Sequence, residues 1–276
     1  MQLLRDLSWW FIGIVTLFSF FLVMALSNLL AGQFWEVPRT SILVVYIGLI
    51  LGFLNKISIF QLGDTLVHEI GHAQMAALTF GRVSYIRVER DTSGVTSHRH
   101  SFVFRRLSTA LISLCGPISS SIIFVITTRL VASELTAYWA LSLCIFVALI
   151  LVTTVRNFWG WLTGITLLAL LYVTLESSGY ISPKLLSSEN LVTSNNFVVL
   201  VILGIVSFNL GTAIQYSVKS RKGRNPSSDE SKFSKALYLP CYLGARFIIL
   251  IQLVLMWFGL SFLLGWESIF KIGRLI

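Results

Sequence analysis

Long apolar runs broken by short polar stretches set the pattern of this chain. The runs fall at about 9–30, 41–54, 57–80, 107–131, 135–155, 158–176, 196–216 and 242–265. Most approach the ~20 residues that a helix needs to cross ~30 Å of hydrocarbon. The first opens on Trp9-Trp10, an aromatic interface anchor, and is too long for a cleaved signal peptide. The run at 41–54 is shorter, so it reads as a second span or as a re-entrant partner of the next. The pattern predicts an all-α polytopic membrane protein of about seven to eight transmembrane helices, folded as one integral membrane domain over 1–276. Within it lie N-terminal spans at 9–54, a core at 57–176 and C-terminal spans at 196–265.

Two breaks differ from simple connectors. After Gly81, a plausible helix stop, Val83-Ser84-Tyr85-Ile86-Arg87-Val88 is rich in β-branched and aromatic residues. Asp91-Thr92-Ser93-Gly94 is a turn signal, and Val95 to Phe104 can return as a second strand. This predicts a membrane-associated β-hairpin at 83–104. The other break, 217–241, is rich in Ser, Lys and Arg with Asn225-Pro226 in its middle. Ser228 has the character of a helix N-cap, so Asp229 would start a helix running through Phe233 and Leu237 into the last span.

Composition supports the membrane reading. The chain is 55% hydrophobic and 12% charged, with mean hydropathy +0.82, against about 25% charged in an ordinary soluble domain. A net charge of +9 would suggest nucleic acid in a soluble chain. Here the basic residues sit between apolar runs, as the orientation of a membrane protein requires, and nucleic-acid binding is discarded. Cys115, Cys144 and Cys241 show no paired ligand spacing and read as small core residues.

Chemistry concentrates in the run at 57–80. Gln61, Asp64, His68 and His72 are three, four and four residues apart, so they form one polar stripe on a helix otherwise made of Leu, Val, Ile, Ala and Met. Lipid cannot satisfy such a stripe; it must face protein or a wet cavity. His68-Glu69-Ile70-Gly71-His72 places two imidazoles one turn apart, where both reach one metal ion. Glu69 lies about 100° round the helix, suited to a general base and poorly placed as a ligand. Asp64 leans into range of His68 and is a candidate to fix its tautomer; pairing with Lys56 or with helix backbone is the alternative. Four spans separate the basic segments 81–106 and 217–241, so both lie on one side, and their Lys and Arg excess makes that side cytoplasmic. His72 then sits about nine residues, or roughly 13 Å, from the cytoplasmic end of its helix.

These residues resemble the site-2 protease family of intramembrane zinc metalloproteases. The resemblance rests on His68-Glu69-Ile70-Gly71-His72-Ala73, a hairpin, and Gly116-Pro117 in the following span, with Ser120 where the family often has Asn. A bacterial-type branch is similar in Gly81-Arg82, Ile86-Arg87, Asp91-Thr92-Ser93-Gly94, Arg156-Asn157-Phe158-Trp159-Gly160 and Ser228-Asp229. Together they cover about 57–245. The resemblance implies Zn²⁺ as cofactor, Glu69 as general base, and cleavage of a membrane-protein substrate within its transmembrane helix. A hairpin edge could hold that substrate extended; a connector with no substrate role is the other reading of the hairpin.

The family supplies a third metal ligand from Asn-Pro-Asp-Gly, whose nearest match here is Asn157-Phe158-Trp159-Gly160. Trp159 cannot bind zinc. Of the chain's four Asp, Asp6 is at the far end of the first span, Asp91 suits a turn, and Asp64 suits an outer role. Asp229 remains, with Asn157 as runner-up and a solvated loop carboxylate as the bland alternative. His98 and His100 read as loop histidines. Glu89, as a late zinc ligand, would have to sit on a helix. Two other functions fit the same residues: an inactive relative that binds membrane helices as a scaffold or chaperone, and a transporter or proton relay.

Overall fold

The computed structural model describes residues 58–91, 93–99, 105–132, 135–177 and 228–264. The expected spans at 9–30, 41–54 and 196–216, residues 217–227 of the segment 217–241, and Asp6, Lys56 and His100 lie outside the described residues.

Helix α1 spans Ser58–Leu78 and carries the polar stripe. Strands β1, Arg82–Val88, and β2, Gly94–Arg99, follow as an antiparallel pair. Four further helices and one short one complete the described chain: α2 Arg105–Ala132, α3 Thr136–Thr153, α4 Phe158–Ser177, α5 Asp229–Ala236 and α6 Cys241–Leu264. By length and composition, Arg105–Leu130 of α2 and Cys241–Phe262 of α6 can each cross a membrane. Ala137–Thr153 and Phe158–Val173 are shorter apolar helices. The outward faces of α3, α4 and α6 expose Ile145, Val152, Ile165, Leu250, Leu253 and Trp257, among others, which suits lipid and not water.

Helix α1 packs along α2, and Gly71 permits the close approach: a Cβ there would lie 2.7 Å from the Cys115 carbonyl and 2.8 Å from Ser119 Cβ. Ser119 Oγ then reaches across to the Val67 carbonyl at 3.0 Å. The opposite side of α1 covers the hairpin. Leu66, Ile70, Ala73, Ala76 and Ala77 bury against Val83, Ile86 and Val88 of β1, with Ile150, Leu151 and Val155 closing the cluster.

Where α1 ends, the structure departs from expectation. The last helical residue is Leu78, and the left-handed residue that stops the helix is Phe80, with φ 63°, not Gly81. Gly81 N–H bonds the Ala76 carbonyl at 2.7 Å and Phe80 N–H bonds Ala77 at 3.0 Å, a paired closure of the helix end. Gly81 is demanded instead by crowding, since a Cβ would lie 2.5 Å from the Arg99 carbonyl and 2.8 Å from that of Ala76. The same closure recurs with Tyr238, φ 59°, after α5. A continuous helix from Asp229 into the last span is therefore replaced by two helices, broken before Pro240.

The sheet has a third participant. Ile86 N–H bonds the Thr154 carbonyl at 3.1 Å, and Arg156 N–H bonds the Ile86 carbonyl at 3.2 Å, a parallel bridge of Ile86 to Val155. Asn157 extends it with its side chain: Nδ2 donates to the Val88 carbonyl at 2.6 Å and Oδ1 accepts from Val88 N–H at 3.2 Å. Among the described residues, β1 is thus central and β2 forms the outer edge. At the hairpin tip Asp91 Oδ1 accepts from Ser93 Oγ at 2.6 Å and Ser93 N–H at 3.1 Å, the turn chemistry that the sequence implied.

Candidate metal centre

His68 and His72 project from one face of α1 with their rings edge to face, centroids 4.7 Å apart. Their Nε2 atoms are 3.1 Å apart. Asp229, at the first turn of α5, brings Oδ2 to 2.9 Å from His68 Nε2 and 3.1 Å from His72 Nε2. The short helix can present it because Ser228 caps the N-terminus, accepting from Ser231 N–H at 3.3 Å. Phe233 and Ser234 anchor the helix by burial against α2 and α6. Because α1 ends at Leu78, His72 lies six residues, or roughly 9 Å, from the end of its helix, and α5 has less far to reach than the sequence suggested.

The tautomer of His72 follows from its other nitrogen. Nδ1 is 2.7 Å from the Ile112 carbonyl, which can only accept, so Nδ1 donates and Nε2 turns a lone pair inward. Three lone-pair carriers at 2.9–3.1 Å repel one another unless a proton or a cation sits among them. Ligand atoms about 2.0–2.1 Å from a tetrahedral zinc stand roughly 3.3 Å apart, close to the observed triangle. Two imidazoles and a carboxylate also match the donor types of a catalytic zinc site with a fourth position open. These residues fit the metal.

Gly116 of α2 leaves room for the ring pair. A Cβ there would collide with the ring of His72 and lie 2.9 Å from His68 Nε2. Four residues on, Ser120 Oγ donates to Asp64 Oδ1 at 2.6 Å, tying the buried carboxylate of α1 to α2. Glu69 is buried beside the histidines, and the ligand atoms of His68, Glu69 and His72 lie within 4.8 Å of one another. Its Oε2 accepts from Thr96 Oγ1 of β2 at 2.6 Å.

The structure thus brings Asp229 to the two histidines and leaves Asn157 in the sheet, where both ends of its amide are taken by Val88. Glu89 is exposed at the hairpin turn, its N–H bonded to the Ser93 carbonyl at 2.8 Å. His98 lies on β2 with Nδ1 3.2 Å from the Thr96 carbonyl. Sequence reasoning missed Ile112, Gly94 and Thr96. A backbone carbonyl leaves no sequence signal, Gly94 is accounted for as a turn residue, and Thr96 is an ordinary strand residue.

No curated protein and no solved structure matches the chain. The family model for Peptidase M50B-like proteins matches residues 40–259, well over half of the sequence and all of the residues that build the centre. On that match, the chain belongs to the Peptidase M50B-like, site-2 protease-like family.

Proposed function

We propose that this protein is an intramembrane zinc metallopeptidase that cleaves transmembrane segments of other membrane proteins. The observation that carries the reading is the convergence of Asp229 Oδ2 with the Nε2 atoms of His68 and His72 beside the buried carboxylate of Glu69. His68, His72 and Asp229 would hold the metal. Zinc, when bound in such a site, acidifies a water and polarises a carbonyl. Glu69 takes the proton of the attacking water and delivers it to the departing amine. The Ile112 carbonyl keeps His72 in the tautomer that binds.

A peptide bond within a helix is shielded, so the substrate must be drawn out as a strand. The inner edge of β1 is occupied by 154–157, which leaves the outer edge of β2 as the docking edge. The hairpin and the 217–241 segment face the cytoplasm, so that cleavage occurs near that face of a multi-pass membrane protein.

The test compares wild type with Glu69→Gln, using a detergent-solubilised single-span peptide that carries Gly and Asn in its apolar segment and a donor–quencher pair. The wild type should cleave it and lose the activity on chelation. The Gln variant should keep its zinc and hold the peptide uncut. Equal turnover by both removes the general base. Binding without cleavage by either makes the protein a helix-binding scaffold, and proton flux without cleavage makes it a relay.

A further inference from the structure

Strand β2 touches the base through two residues on one face. Thr96 Oγ1 lies 2.6 Å from Glu69 Oε2 and 2.9 Å from the Glu69 main-chain carbonyl. Two positions earlier on the same face, Gly94 leaves space that Glu69 fills: a Cβ there would lie 2.6 Å from both Cγ and Oε1. One contact holds the carboxylate from the side of Oε2, and the other fits against Oε1. Together they restrict a side chain that otherwise has three rotatable bonds.

The main chain of the same threonine points the other way. Ile86 directs both its N–H and its carbonyl to 154–156, so its antiparallel partner Thr96 belongs to a pair that exchanges no ladder bonds. The N–H and carbonyl of Thr96 therefore project from the outer edge of the sheet. The carbonyl is 3.2 Å from His98 Nδ1, which covers it.

Resting on the proposed peptidase activity, we propose that Thr96 is the positioning residue that sets a substrate strand in register with Glu69. Its backbone pairs with the incoming strand while its hydroxyl holds the base. A strand bound to that edge is fixed by the residue that also aims the carboxylate, so docking and base alignment share one anchor. His98 yields the Thr96 carbonyl when the strand arrives.

The test uses Thr96→Val, which keeps shape and removes the donor, Thr96→Ser, which restores it, and Gly94→Ala, which displaces Glu69. With the model peptide, Thr96→Val should lower kcat by roughly 10- to 100-fold, the scale of a misplaced catalytic group, with KM changed little. Thr96→Ser should recover most of the loss, and all three variants should keep wild-type zinc content. Independently of turnover, Val95→Cys in the Glu69→Gln background is oxidised against peptides bearing one Cys at successive positions. A fixed register predicts cross-links at positions two apart and none between. Equal kcat for wild type and Thr96→Val, or cross-links spread over every position, would overturn the proposal while leaving the peptidase reading intact. If wild type is no faster than Glu69→Gln, both fall.

Discussion

Gly116 and Asp229 show how much of the centre depends on single atoms. At Gly116 the missing Cβ is the space that the ring of His72 occupies. Gly116→Ala should therefore displace that ring, and zinc bound per chain, measured by plasma mass spectrometry, should fall well below one while the helical circular dichroism is kept. Retention of full zinc by Gly116→Ala would mean the ring can move without cost. Asp229→Asn keeps size but removes the negative charge that faces two imidazole nitrogens. Its zinc affinity should fall by roughly 10- to 100-fold or more in a competition titration, more than Asn157→Ala, whose amide is spent on Val88. The histidine pair and Glu69 were legible in the sequence because their chemistry is written in i, i+1, i+4 spacing on one helix. Asp229 is 157 residues beyond His72, so sequence could offer it only by elimination and resemblance.

Among the elements, the hairpin was legible from its β-branched content and turn residues, and the long apolar helices from their runs. The bridge from β1 to 154–156 was not. Val155-Arg156-Asn157 reads as a polar break between spans, and nothing in it signals that an Asn side chain will stand in for a strand residue. Helix ends were misread for a related reason: Phe80 and Tyr238 take the left-handed conformation that composition assigns to glycine. Asn157→Ala would leave the Val88 N–H and carbonyl without these partners, at about 1–3 kcal/mol for each buried group left unsatisfied. Thermal unfolding in detergent should therefore come at a lower temperature, with zinc content unchanged. An unchanged melting temperature would show that the side chain adds nothing to the sheet. Ser228→Ala removes the cap that starts α5, at a cost of about 1 kcal/mol. Since that helix presents Asp229, zinc affinity should drop several-fold, and an unaltered affinity would place the control elsewhere.

For the whole molecule, the described helices form a scaffold in which α1 is held between the sheet and α2, while α5 closes the side where the histidines point. The account puts the hairpin and the 217–241 segment on the cytoplasmic side, so single cysteines at Val95 and Lys232 in a cysteine-free background should react with impermeant maleimide from that face only. Reaction from opposite faces would contradict the topology. The most direct test of the central claim is the zinc content of purified protein, taken side by side for wild type, His72→Ala and Asp229→Ala. The account predicts about one zinc per chain in the wild type, lost in His72→Ala and in Asp229→Ala after dialysis against a weak chelator. A full zinc in Asp229→Ala would contradict the three-residue centre, and no zinc in any of the three would contradict the metallopeptidase itself.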